Sequence, residues 1–368
     1  MHSLKYSGAE IMYVDAASLF QERGCKLSVV ATAEDIGEFA LKFREAGYKV
    51  YHMPYPSRSH FIDRLLYLVK FSIFLKKNRF DVVHIHANKT MFGMAFCAWV
   101  AGKRSVYTSH NVFPTRLLTR PLHIAIRWIA KKWWNCKFQT ISDSVYKNEL
   151  KRFKNKTIKI YNWYGSDRFF PGNTEEKQKF RKEIGIDKDA FVVISVGGCS
   201  PIKRHSEIIK AVALVKKEIP NIIYLHLGEG ESEQEEKELV EQLNLLDNVR
   251  FIGNQNDVRK YLISSDVYAM TSKFEGISMT TIEAMACKIP AILYDVPGLR
   301  DFNNQKEITI LIKEDFNVLA EKIISLYNNE IQRDKYTMEA QDFVNKNYSM
   351  IINFEKVYQL YLDQKEVL

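Results

Sequence analysis

Cysteine is scarce and unpaired here. The five residues Cys25, Cys97, Cys136, Cys199 and Cys287 form no CxxC pair, and none joins a His cluster at metal-ligand spacing. The thiols read as reduced and mostly buried, and no metal site is expected. Long apolar runs are also missing. The best candidate, Leu65 to Leu75, is interrupted by Lys70 and falls short of the roughly 18 residues that span a bilayer. No basic–apolar–small signal segment is visible, so the expected location is cytoplasmic. No internal repeat, low-complexity tract or nucleic-acid-binding module appears, and nucleic acid is not an expected partner.

What remains is an ordinary globular composition, with 46% apolar and 26% charged residues. A length of 368 residues fits two domains at roughly 150 residues each. The net charge of +9 conceals a polarity. Residues 1–171 carry 28 Lys and Arg against 12 Asp and Glu, whereas the remainder carries 25 against 32. A basic half suits an anionic membrane surface, a phosphorylated substrate or nucleic acid, or is simply a solvated face. Two segments in it mix basic and apolar residues, Arg64 to Lys77 and Arg127 to Trp134. A peripheral position at the inner face of a membrane is therefore a further expectation.

Short β-branched or aromatic runs alternate with helical patterns throughout. Strands are expected at Leu27–Ala31, Lys49–Met53, Val82–His86, Ser105–Ser109, Phe138–Ile141 and Ile158–Tyr161. In the second half they are expected at Phe191–Val196, Ile222–Leu227, Val249–Ile252, Val267–Met270, Ala291–Tyr294 and Ile308–Ile312. Such alternation means parallel sheets with helices on both faces. The expected fold is α/β, two doubly wound Rossmann-like domains. The join lies in Gly165–Gln178, giving domains 1–168 and 169–345, with a last helix at Met350–Gln364. A doubly wound domain should open on a buried strand. Here Met1 to Leu4 lead almost at once into Ser7-Gly8-Ala9-Glu10, read as a turn before a helix, so the first strand is missing or reduced to a stub.

The strongest chemical signal is TSKFEGISMTTIEAMACKIP, Thr271 to Pro290. A strand ends near Met270, Glu275 and Gly276 sit in a turn, and a helix starts near Met279. In open α/β sheets ligands bind at the carboxyl ends of strands. A helix N-terminus there offers backbone N–H groups to a diphosphate, namely those of Ile277, Ser278, Met279 and Thr280. Gly276 permits close backbone approach, and Glu275 and Glu283 then flank one ligand. A second signal, SVGGCSPIKRH, places Lys203 after the glycine turn Gly197-Gly198, which suits phosphate contact. His110 closes a strand of the first domain and is a candidate to hydrogen-bond a sugar hydroxyl or steady developing charge. Gly8 would let the backbone face a phosphate or sugar. Asp187-Lys188-Asp189 has metal-binding character but lies at the wrong end of its strand. His84 and His86 read as structural, and Gly228-Glu229-Gly230 lacks the third glycine of a dinucleotide fingerprint.

Together these residues resemble glycosyltransferase family four, retaining enzymes of the GT-B fold, over nearly the whole chain. Ser7-Gly8-Ala9-Glu10 is similar to the family's Gly-Gly-Ala-Glu loop. His110-Asn111, the hinge Asn162 to Phe169, Lys203, and the spaced pair Glu275 and Glu283 match in order. Pro297-Gly298-Leu299-Arg300-Asp301 resembles its Gly-Gly-x-x-Glu segment. Gly198 stands where the family often has an arginine. The resemblance implies a nucleotide-diphosphate sugar (UDP- or GDP-sugar) as donor, with no separate cofactor and no metal. Lys203 and the amides of residues 277–280 would hold the diphosphate, Glu283 the ribose and Glu275 the sugar. It implies a glycan or lipid-linked acceptor bound by the first domain, and a last helix that packs back on that domain. A catalytically weakened nucleotide-sugar-binding subunit is the alternative.

Overall fold

The computed structural model describes residues 1–56, 60–112 and 117–362. They form two compact units, Met1–Trp163 with the segment from Met350, and Tyr164–Ser349. The first runs α1 (Gly8–Asp15), α2 (Ala17–Glu22), β1 (Ser28–Ala31), α3 (Ala40–Glu45), β2 (Lys49–His52), α4 (Phe61–Lys77), β3 (Val82–Ile85), α5 (Met91–Val100), β4 (Arg104–Ser109), α6 (Arg120–Lys132), β5 (Cys136–Thr140), α7 (Asp143–Phe153) and β6 (Ile158–Lys159). The second follows with α8 (Thr174–Glu183), β7 (Phe191–Val196), α9 (His205–Val215), β8 (Ile222–Leu227), α10 (Glu233–Gln242), β9 (Val249–Gly253), α11 (Val258–Ile263), β10 (Val267–Met270), α12 (Met279–Ala286), β11 (Ala291–Tyr294), β12 (Ile310–Ile312), α13 (Phe316–Asn328) and α14 (Glu330–Asn347). The helix α15 (Met350–Leu362) then joins the first unit. Residues 363 and 364 of the expected last helix lie outside the described residues.

Each pairing between these strands is parallel, as βα alternation requires. In the second unit the order is β12-β11-β10-β7-β8-β9. Strands β7, β8, β10 and β11 are buried along their whole length, which is why they read as continuous apolar runs and not as alternating ones. The chain reverses its winding between β7 and β10, so the loops after these two strands flank a crevice where ligands bind in such sheets.

In the first unit the sheet is divided. β1 pairs with β2, and β3-β4-β5-β6 form a separate sheet. One apolar cluster gathers Phe20, Val29 and Phe43 with Phe354 and Val357 of α15. A second gathers Phe71, Met94, Ala98 and Tyr107. Across α6 and α7, Arg127 is almost wholly buried. It donates twice to Glu149, Nε to Oε2 at 2.8 Å and Nη2 to Oε1 at 2.9 Å, while Asn155 donates to Oε2 at 2.9 Å.

The units divide at Trp163/Tyr164 and Ser349/Met350, where the sequence reading put the joins after Arg168 and 345. The Trp163 indole donates to Met12 O at 2.9 Å and so belongs to the first unit. Tyr164 bridges to Ser349 and donates its hydroxyl to Asn345 at 2.6 Å, which fixes it to the second.

Candidate functional site

The loops after β7 and β10 are stitched together by their own polar groups. Lys273 N–H donates to Ile202 O at 2.8 Å, and Thr271 Oγ1 donates to Arg204 O at 2.8 Å. Arg204 Nε donates to Thr271 O at 2.9 Å. This brings Lys203 and Glu275 into direct contact: Nζ donates to Oε1 at 2.6 Å, and Ser272 Oγ donates to the same oxygen at 2.6 Å. The lysine side chain is 24% and the glutamate 14% exposed, so the pair is fixed yet still reached by solvent. From behind, Glu275 N–H donates to Pro297 O at 2.9 Å. Gly298 follows at φ +85°, and a Cβ there would lie 2.3 Å from Glu275 O. The segment Pro297–Asp301 therefore acts as the backing of the Glu275 turn.

Helix α12 starts where the second loop ends. Ser278 caps it, accepting from Thr281 N–H at 3.2 Å. The amides of Ile277 to Thr280 lie ahead of the helix's own ladder, the place where an anion is stabilised. Their side chains do other work. Ile277 is buried, and Thr280 Oγ1 meets Tyr268 OH at 2.7 Å and donates to Val196 O at 3.1 Å, tying the helix start to β7 and β10. Gly276 is buried beside them, and Glu283 is half-buried in the second turn.

The loop after β8 presses on the loop after β7. A Cβ on Gly228 would lie 2.1 Å from Gly197 O, and Cys199 N–H donates to Glu229 O at 3.1 Å. Gly228-Glu229-Gly230 thus serves backbone packing. Asp187 and Asp189 precede β7, at the opposite end of the strand from Lys203.

A buried polar network under the β7 loop escaped the sequence reading. His205 Nδ1 lies 3.1 Å from Ser195 Oγ, which lies 2.6 Å from Tyr224 OH. Cys199 Sγ is 3.6 Å from His226 Nε2. His226 Nε2 and Glu236 Oε2 are 3.1 Å apart, but Glu236 Oε2 has no partner in hydrogen-bonding geometry, so this is a close polar contact. Burial, with Glu236 nearby, pushes the Cys199 thiol up to about 12. Burial, His226 and Lys203 hold His205 well below its ordinary value. Cys199, His226 and Glu236 come from three elements, so no spacing along the chain announces them.

In the first unit, His110 at the end of β4 shares a 2.8 Å contact from Nε2 to His86 Nδ1. Burial lowers His110 to about 4. At neutral pH it is an uncharged imidazole, suited to hydrogen bonding and not to acting as a cation. His84 is held by Thr108 at 2.6 Å and Tyr361 at 2.5 Å. Residues 7–10 are not the expected turn: Gly8 already begins α1. Ser7 Oγ donates to the buried Glu10 carboxylate, and this Ser-x-x-Glu spacing is a helix-start signature that was readable in the sequence.

Comparisons with known proteins bear on both units. The sequence model of Glycosyltransferase Family 4 matches residues 6–197, and that of Glycosyl transferases group 1 matches residues 176–343. The putative glycosyltransferase EpsD of Bacillus subtilis is 29% identical over 266 residues, 68% of either chain. The UDP-Gal:alpha-D-GlcNAc-diphosphoundecaprenol alpha-1,3-galactosyltransferase of Escherichia coli is 24% identical over 78% of this chain and 77% of its own. Among solved structures, Anabaena Alr3699/HepE in complex with UDP superposes with a TM-score of 0.82 at 19% identity, covering 99% of this chain and 98% of that one.

Proposed function

The chain belongs to glycosyltransferase family 4, and on that premise we propose that it transfers a sugar, with retention, from a UDP- or GDP-sugar to a glycan or lipid-linked acceptor in polysaccharide or cell-envelope glycan synthesis. The observation that carries this reading is the Lys203–Glu275 pair at the β7/β10 crevice, next to the N-terminal end of α12. As the sugar–phosphate bond breaks, its electron pair goes to the diphosphate. Lys203 and the amides of residues 277–280 stabilise that charge, Glu275 faces the sugar carbon that becomes cationic, and Glu283 holds the ribose. These fixed groups do the work a metal would otherwise do. The test is a thermal-shift screen of purified chain against nucleoside diphosphates, followed by slow donor hydrolysis in excess chelator. Binding without hydrolysis would favour a nucleotide-sugar-binding subunit. Activity lost to chelator and restored by manganese or magnesium would end the metal-independent reading.

A membrane-facing role belongs to the same proposal. The relative from Escherichia coli is named for a diphosphoundecaprenol-linked acceptor, and an acceptor of that kind lies at a bilayer. Helix α4 buries Tyr67, Phe71 and Leu75 yet exposes Phe61, Ile62, Leu65, Leu66, Val69 and Ile73 on its outer side. Helix α5 packs between α4 and α6 and exposes Trp99. Helix α6 adds Trp128 beside Lys131 and Lys132, and Trp133 follows it. An apolar surface of this extent, edged with basic residues, fits an anionic lipid interface. Among the described residues no helix is long and apolar enough to cross a membrane.

A further inference from the structure

The loop after β7, strand β8 and helix α10 each send one side chain to a single buried point of the second unit. Cys199 Sγ, His226 Nε2 and a Glu236 carboxylate oxygen lie within 4.8 Å of one another. The backbone holds Cys199 there from both sides. Its N–H donates to Glu229 O at 3.1 Å, and its carbonyl accepts from Ser232 N–H at 3.2 Å. Gly230 permits this approach, since a Cβ there would lie 2.2 Å from Cys199 O. The His226 ring packs on His205 and Phe251, at centroid distances of 4.3 and 5.1 Å.

The spacing of the three atoms is that of ligands around one ion. Sγ lies 3.6 Å from Nε2, and Nε2 lies 3.1 Å from Glu236 Oε2. A tetrahedral zinc ion, with Zn–S of about 2.3 Å and Zn–N and Zn–O of about 2.0 Å, sets such atoms about 3.6 and about 3.3 Å apart. Hydrogen bonding accounts for less. Glu236 is 3% exposed, yet its Oε2 has no partner in hydrogen-bonding geometry, and neither has His226 Nδ1. The thiol donates to Gly228 O at 3.5 Å, which leaves the carboxylate oxygen unanswered. Such an oxygen is costly to bury, and a bound ion is one of the few things that explain it. Gly198, Glu229 and Gly230 beside the point are exposed, so the path from solvent is short.

We propose that Cys199 Sγ, His226 Nε2 and Glu236 Oε2 bind one zinc ion, which pins the loop after β7 to β8 and α10. Thiolate with imidazole suits zinc, whereas magnesium, calcium and manganese prefer oxygen ligands. Binding releases the thiol proton to solvent, and a water or other small ligand takes the fourth place. The task is structural. Cys199 stands four residues before Lys203, so the ion steadies the loop that presents the lysine and takes no part in holding the diphosphate.

The test strips the full chain with a strong chelator and loads it with zinc or cobalt, with no nucleotide present. One equivalent of cobalt is expected to bind and to give a thiolate-to-cobalt charge-transfer band in the near ultraviolet. Zinc is expected to displace it and to raise the unfolding midpoint by several degrees, and magnesium and manganese to do neither. Cys199→Ser is expected to abolish the band and Glu236→Gln to weaken cobalt binding at least ten-fold, with Cys287→Ser keeping both. X-ray absorption of the zinc-loaded parent depends on no variant and is expected to show one sulfur at about 2.3 Å. A sulfur-free shell, no band, or a band that survives Cys199→Ser would overturn the proposal. Because no donor is present, that failure would leave the glycosyltransferase reading untouched.

Discussion

Lys203 and Glu275 lie 72 residues apart and share a hydrogen bond, although each was assigned to a different part of the donor. On the proposed assignment, Lys203→Ala removes the charge that faces the diphosphate both when bound and when leaving. It is expected to weaken nucleoside diphosphate binding and lower turnover together. Glu275→Gln keeps the shape and removes the negative charge that pairs with Lys203 and, on the same assignment, faces the sugar. Turnover is expected to fall about 10²-fold or more, the scale of one electrostatic stabiliser, with nucleoside diphosphate affinity within a few-fold of the parent. Calorimetric titration alongside donor turnover checks both, and a Gln variant with near-normal turnover or with no nucleotide binding would undo the assignment. The two residues were legible one at a time, because glycine turns after strands mark ligand loops. Their contact was not, since it depends on β7 and β10 being neighbours. The neutral state of His110 and the Cys199–His226–Glu236 group were hidden for the same reason: burial and proximity arise only from the packed sheet.

Among the elements, the strands were legible because each is a short apolar run between helical patterns. The helix at residues 8–15 was misread at its start, where Gly8 looked like turn chemistry although the Ser7-to-Glu10 spacing also marks a helix cap. The role of Pro297-Gly298 was visible only as a family likeness. The geometry gives the physical reason, because the glycine lets one backbone press against the Glu275 turn. Gly298→Ala is therefore expected to displace that turn without touching any ligand. At φ +85° an alanine also costs more than about 1 kcal/mol of stability. Turnover is expected to drop by roughly ten-fold, on the scale of a misplaced electrostatic stabiliser, with a lower unfolding midpoint. An alanine variant with parental turnover would show that Glu275 is held by other means.

On the scale of the whole chain, basic charge and exposed apolar helices coincide in the first unit. Binding to anionic vesicles is expected to be measurable by sedimentation and to weaken steeply as salt rises. Pelleting equally with neutral and anionic vesicles, or with neither, would count against the membrane-facing part of the proposal. The last helix has a different consequence. Phe354 of α15 sets its ring 4.7 Å from that of Phe20, so the core begun by residues 1–163 is closed by residues from 350 onward. A ribosome adds only about 5–20 residues per second, and domains fold as units as they emerge. The second unit, unbroken from Tyr164 to Ser349, can reach its native packing while the first still waits for its closing helix. During synthesis the order of completion thus runs opposite to the order of translation, and the first unit stays open until the helix that completes it has left the ribosome.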